Sequence, residues 1–133
     1  MTDAYRDDPT IRDADPLWRR VHPHQQVVDE NSGEIRPSSA AFKDHPDGSP
    51  MSIHLGRDAL EAGYRPEDVL VGHDGYALAG LTAGLARDHE QGVAREPLAD
   101  QIAHGIVFGP KGKRIRKALV RGATWVVPPP AGD

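Results

Sequence analysis

The sequence predicts an α+β fold: an N-terminal set of antiparallel β-hairpins or a meander, with two or three helices, the last a basic amphipathic helix packed on the sheet. Three observations carry that expectation. Short alternating runs separated by turn residues fill residues 17–55, helical spacing punctuated by glycine takes over after Gly56, and residues 112–124 carry one apolar face among five cations. At 133 residues with 38% apolar and 5% aromatic content, the chain has one domain's length and a core made mainly of Val, Leu, Ile and Ala.

Residues 1–16 hold five aspartates, two arginines and two prolines with little apolar surface. Such a segment cannot bury enough to offset the entropy of ordering, so a disordered acidic leader is expected there. A single α+β domain is expected over 17–126, and a Pro-rich flexible tail over 127–133, where Pro128-Pro129-Pro130 stand together. Leu17–Val21 alternates as a strand. Gln25–Val28 and Glu34–Arg36 are separated by Asp29-Glu30-Asn31-Ser32-Gly33, whose Asn and Gly suit the positive φ of a hairpin turn. Ala40–Lys43 and Met51–Leu55 flank a second turn, Asp44–Pro50, which makes a second hairpin the expectation.

Arg57–Ala62 reads as a short helix stopped by Gly63, and Pro66-Glu67-Asp68 as the first turn of another. Leu78, Leu81 and Leu85 fall at i, i+3 and i+7, predicting a helix over 78–91 with Gly92 just past its end. Gly80 and Gly84 weaken that helix, so its upstream half has a strand as its alternative. Val93–Arg95 and Ala103–Phe108 read as strands. In the final helix Ile115, Ala118, Leu119, Gly122 and Val126 share one face, with Lys113, Arg114, Arg116, Lys117 and Arg121 largely elsewhere.

Composition excludes several function classes. No cysteine means no disulfide framework, thiolate metal site or cysteine nucleophile. No apolar run approaches the length of a membrane span, and the first residues lack a basic-then-apolar secretory pattern, so a cytoplasmic location and no membrane partner are expected. Net charge is −3 over residues 1–16, −6 over 17–108 and +5 over 109–133. An acidic body disfavours nucleic acid as a partner except through the basic helix 112–124.

Seven histidines supply the candidate chemistry. His54 and His104 lie in apolar strands, where a partly desolvated imidazole can act as a catalytic general base or simply bond a carbonyl. Arg36, Ser38, Ser39 and Lys43 form a loop with two hydroxyls between two cations, suited to binding a phosphate; capping and local ion pairing are the competing reading. His22 and His24, at i and i+2, are candidate metal ligands if completed by His54 or His104, although Pro23 between them disturbs a strand. The segment Gly109–Lys113 departs from the phosphate-loop pattern, since Val107 stands at its first glycine and Arg114 at its hydroxyl.

The leading functional expectation is a small soluble accessory or binding protein acting through contacts with a protein partner or as a homo-oligomer, anchored by Trp18 or Trp125. The alternative is a small enzyme or binder for a phosphate-bearing ligand, a nucleotide or sugar phosphate, using the Arg36/Ser38 loop and a strand histidine. A histidine metal site is the third. No particular cofactor is indicated. The phosphate reading in its sharpest form requires Arg36, Ser38, His54 and His104 to border one hollow.

Overall fold

Six strands pair antiparallel in the order β6-β7-β4-β1-β5-β8, and a separate β2-β3 ribbon completes the α+β fold, in a computed structural model that describes residues 5–130. The strands are β1 (Pro16–Val21), β2 (Gln26–Val28), β3 (Ile35–Pro37), β4 (Met51–Leu55), β5 (Ala77–Thr82), β6 (Gly92–Arg95), β7 (His104–Phe108) and β8 (Thr124–Val127). The helices are α1 (Gly56–Glu61), α2 (Ala83–Asp88) and α3 (Lys113–Gly122). Among the described residues no helix is long and apolar enough to cross a membrane.

Strand alternation assigns side chains to the two faces of the sheet. Leu17 and Val21 of β1, Met51, Ile53 and Leu55 of β4, and Val107 of β7 join Ile115 and Leu119 of α3 and Phe42 in the main core. The basic helix therefore packs on this face, as expected, with its cations turned outward. The opposite face is covered only in part: Trp18, Leu78, Ala59 of α1, Val69 and Ala103 form a smaller cluster. The rest of this face carries Ser52, half-buried, and His54 and His104, which are 8% and 7% exposed.

Several local expectations change. Residues 39–42 form a 3₁₀ turn rather than a strand, with Ala41 N–H donating to Ser38 O at 3.0 Å. Ala41 and Phe42 are both fully buried in one core, which consecutive residues of a strand, pointing to opposite faces, could not achieve. Residues 77–82 are a strand, the alternative for the upstream half of the expected 78–91 helix, of which 83–88 remain helical, and Leu78 and Leu81 enter opposite clusters. A central strand buried on both sides reads as continuously apolar, which mimics helical spacing. Gly80 is explained there, since an added Cβ would lie 2.5 Å from Val126 Cγ2 of the neighbouring β8; Val126 accordingly belongs to a strand, not to the apolar face of α3.

Gly92 is likewise a strand residue lying under the Phe108 ring, and the reversal after α2 is made by Glu90 at φ 68°. The acidic leader changes as well. Ile11 is 1% exposed, Asp8 donates its backbone N–H to Val93 O at 2.8 Å, and Asp7 and Asp13 pair with Arg87 at 3.0 and 2.7 Å. Arg95 bridges Asp8 and Asp58 at 3.1 and 2.8 Å. Residues 5–15 thus form a docked strap over the β6 edge, and Pro16 already belongs to β1. Residues 1–4 of the expected leader, and 131–133 of the expected tail, lie outside the described residues, while Val127 ends β8.

Candidate functional site

The half-covered face of the sheet carries a cleft of about 580 Å³. On its floor, β4 pairs β7 with His54 opposite His104. Ser52 lies two residues before His54 and so projects from the same face. Arg20 of β1 and Gln101 border the cleft as well, and the wall holds His22, His73 and Tyr76. The Tyr76 ring meets His22 and His73 edge-on, with centroids 5.1 and 5.0 Å apart. His45 completes the rim. Five imidazoles and two arginines, Arg19 and Arg20, line this hollow, and among the described residues no carboxylate does.

His45 reaches Ser52 because its loop is stapled down. Asp44 Oδ1 accepts from Met51 N–H at 3.0 Å and pairs with Lys111 Nζ at 2.7 Å. Lys111 is buried, its side chain 4% exposed, and also donates to Val107 O at 2.8 Å. Desolvation lowers its pKa, although Asp44 pulls in the other direction. Gly48, at φ 89°, makes the turn that returns the loop to β4. Ser52 Oγ then sits 2.8 Å from His45 Nε2 and 3.1 Å from His104 Nε2. The far nitrogen of His104 meets Glu96 O at 2.8 Å, and the Glu96 carboxylate lies 3.6 Å away.

Burial is the main reason the His54 pKa falls to about 4, with Arg20, His104 and His73 adding repulsion. The ring is therefore neutral at neutral pH and presents one N–H and one lone pair. Arg20 is held by its Nε on Val69 O at 2.6 Å, and burial lowers its pKa, opposed by Tyr76. A smaller hollow of about 90 Å³ adjoins, sharing Arg20, His54 and Gln101 and walled by Tyr64, Val69 and Ile102, with Asp68 and Asp100 also on its lining.

Arg36, Ser38 and Ser39 are elsewhere. They line a separate groove of about 710 Å³ between the β2-β3 ribbon and α3, with Lys117 and Arg121. It is the larger hollow, yet its chemistry is spent locally. Arg36 Nε bonds Asp29 Oδ2 at 3.0 Å and its Nη1 bonds Pro37 O at 3.0 Å. Asp29 is held low mainly by the Ser32 and Asn31 backbone N–H groups, then by Arg36, and Glu30 lines the same groove. Lys43 is exposed and borders neither hollow. The two histidines and the Arg36 loop thus do not converge.

His22 and His24 flank a short 3₁₀ turn, not a strand, and His24 N–H donates to His22 Nδ1 at 3.0 Å. That bond occupies one of the nitrogens a metal would use. Among the described residues no group of three or more His, Asp or Glu side chains is placed to hold a metal ion. Ser52, His45, Arg20 and Glu96 are the site residues that sequence reasoning passed over. Ser52 had a signal, its i, i+2 spacing from His54; the others had none.

No protein-family model, curated protein or solved structure matches the chain.

Proposed function

We propose that this protein binds a small phosphate-bearing ligand in the histidine cleft and acts on it, with His104 as general base and Arg20 as the permanent positive charge. The observation that carries the reading is the lining itself: five imidazoles and the guanidiniums of Arg19 and Arg20 surround the hollow, and among the described residues no carboxylate lines it. Neutral His54 supplies an N–H donor that needs no charge of its own. The bonded chain from Glu96 O through His104 to Ser52 supports proton transfer, because a ring oriented through one nitrogen offers the other to a reacting group. The adjoining hollow gives the organic part of an ester an apolar wall in Tyr64, Val69 and Ile102.

This reading moves the phosphate site from the Arg36 loop to Arg20, and keeps His54 and His104. The protein-partner reading draws less support. Trp18 is 3% exposed and packs in the smaller cluster, so it is not free to anchor a partner, and half-buried Trp125 has its Nε1–H committed to Ile35 O at 3.0 Å. A thermal-shift panel of nucleoside monophosphates and sugar phosphates tests the proposal. A true ligand at a hundredfold excess over its Kd stabilises the protein by about 2.7 kcal/mol, and Arg20→Ala should remove the effect. Equal stabilisation of wild type and variant would remove Arg20 and this cleft from the account.

A further inference from the structure

Ser52 is a polar residue on the central β4 strand, half-buried, with its side chain outside both apolar clusters. Its hydroxyl lies between two imidazole nitrogens, and the direction of each proton follows from which partners can donate. The Glu96 carbonyl only accepts, so His104 Nδ1 carries a hydrogen and donates to it. In the neutral ring Nε2 then holds a lone pair, and the Ser52 O–H donates to it. Ser52 has a single proton, so at the remaining contact His45 Nε2–H donates to Ser52 Oγ. The result is a one-way chain, His45 to Ser52 to His104 to Glu96. A hydroxyl aimed at the free nitrogen of an imidazole that is itself oriented by a third group is the arrangement of an activated nucleophile.

We infer that Ser52 is the nucleophile of a phosphoryl transfer, with His104 as its base and His45 as a positioning residue. The inference rests on the phosphate-ligand reading and deepens it, naming the substrate class as phosphate esters with a displaceable leaving group. In the first step the Ser52 Oγ–P bond forms while the bond from phosphorus to the leaving oxygen breaks. The Ser52 proton passes to His104 Nε2, the leaving oxygen departs with the bonding pair, and His104 returns the proton to it. In the second step water attacks phosphorus and gives a proton to His104. The Oγ–P bond breaks, and that proton restores the Ser52 hydroxyl, leaving inorganic phosphate. Arg20 and the His54 N–H face the non-bridging oxygens from the cleft lining.

The test uses 4-nitrophenyl phosphate as an activated probe, an acid quench, and mass spectrometry of the intact chain and its peptides. In parallel, inorganic phosphate binding is followed through the imidazole signals. The inference predicts one phosphoryl group on Ser52, stable to acid as a serine ester is, and a burst of nitrophenol. The adduct is absent in Ser52→Ala and forms about 10²-fold more slowly in His104→Gln. No adduct on the wild-type protein while phosphate still perturbs His54 and His104 overturns the nucleophile and leaves the ligand reading standing. An acid-labile adduct on a histidine overturns it too, since an imidazole would then be the nucleophile. Neither adduct nor phosphate binding removes both.

Discussion

Replacing His54 with Gln should flatten the acid limb of the protein's stability profile. In the folded chain the His54 pKa is held at about 4, against 6.5 for an ordinary histidine. The unfolded state therefore binds more protons than the native state between these values, so stability rises with pH across that window. Seen from neutral pH, stability declines as pH drops below 6.5, and the decline levels off below about 4. A shift of this size corresponds to roughly 2–3 kcal/mol over the whole window, after allowance for the cleft's open side, and to about 1–2 kcal/mol by about pH 5. Urea unfolding of wild type and His54→Gln at about pH 7 and pH 5 isolates the contribution, because other titrating groups are common to both proteins. The variant should lose about 1–2 kcal/mol less between the two conditions. Identical pH dependence in the two proteins would refute the claim that His54 is kept neutral by its surroundings.

Three other perturbations follow from the same geometry. Asp44→Ala leaves the buried Lys111 ammonium with carbonyl acceptors alone and should cost about 2–4 kcal/mol in urea unfolding; Lys111→Met, which removes the charge rather than stranding it, should cost less. Gly92→Ala drives a methyl into the Phe108 ring and should cost about 1–3 kcal/mol, whereas Gly112→Ala, with nothing within 4 Å of the new carbon, should be close to neutral in the same measurement. Arg87→Ala releases Asp7, Asp13 and the Asp8 carbonyl, so the Asp8 amide that bonds Val93 O should exchange with deuterium much faster while the amides of β4 and β1 are unchanged. Equal exchange of Asp8 in both proteins would mean that the strap is held by Ile11 burial rather than by the arginine.

Where the physics is local, the sequence was readable. Met51-Ser52-Ile53-His54-Leu55 alternates because one face meets the core, and α3 shows its seam through Ile115, Ala118 and Leu119 because only one side of it is covered. The β2-β3 hairpin follows from the residues of its own turn. Failures occur where a partner far along the chain decides the outcome. The N-terminal aspartates look like a solvated leader until Arg87 and Arg95, about eighty residues away, neutralise them. Residues 77–82 pass for a helix because a strand buried on both faces has no alternation to show. The site divides in the same way. His54 and His104 stand out as polar residues in apolar strands, but nothing near His45 says that Asp44 and Lys111 will fold its loop onto Ser52. Arg36 with its two serines looked like an anion clamp, and Asp29, only seven residues away, claims the guanidinium first.

The most direct test is a titration of isotopically labelled protein with inorganic phosphate and then with a nucleoside monophosphate, observing the histidine ring and the arginine and lysine side-chain resonances by NMR. The account predicts saturable shifts at His54, His104 and His45, a rise in the His54 pKa as the anion offsets the repulsion from Arg20, and no change at Arg36 or Lys117. Shifts confined to the Arg36 groove, or no saturable change at any imidazole, would contradict it.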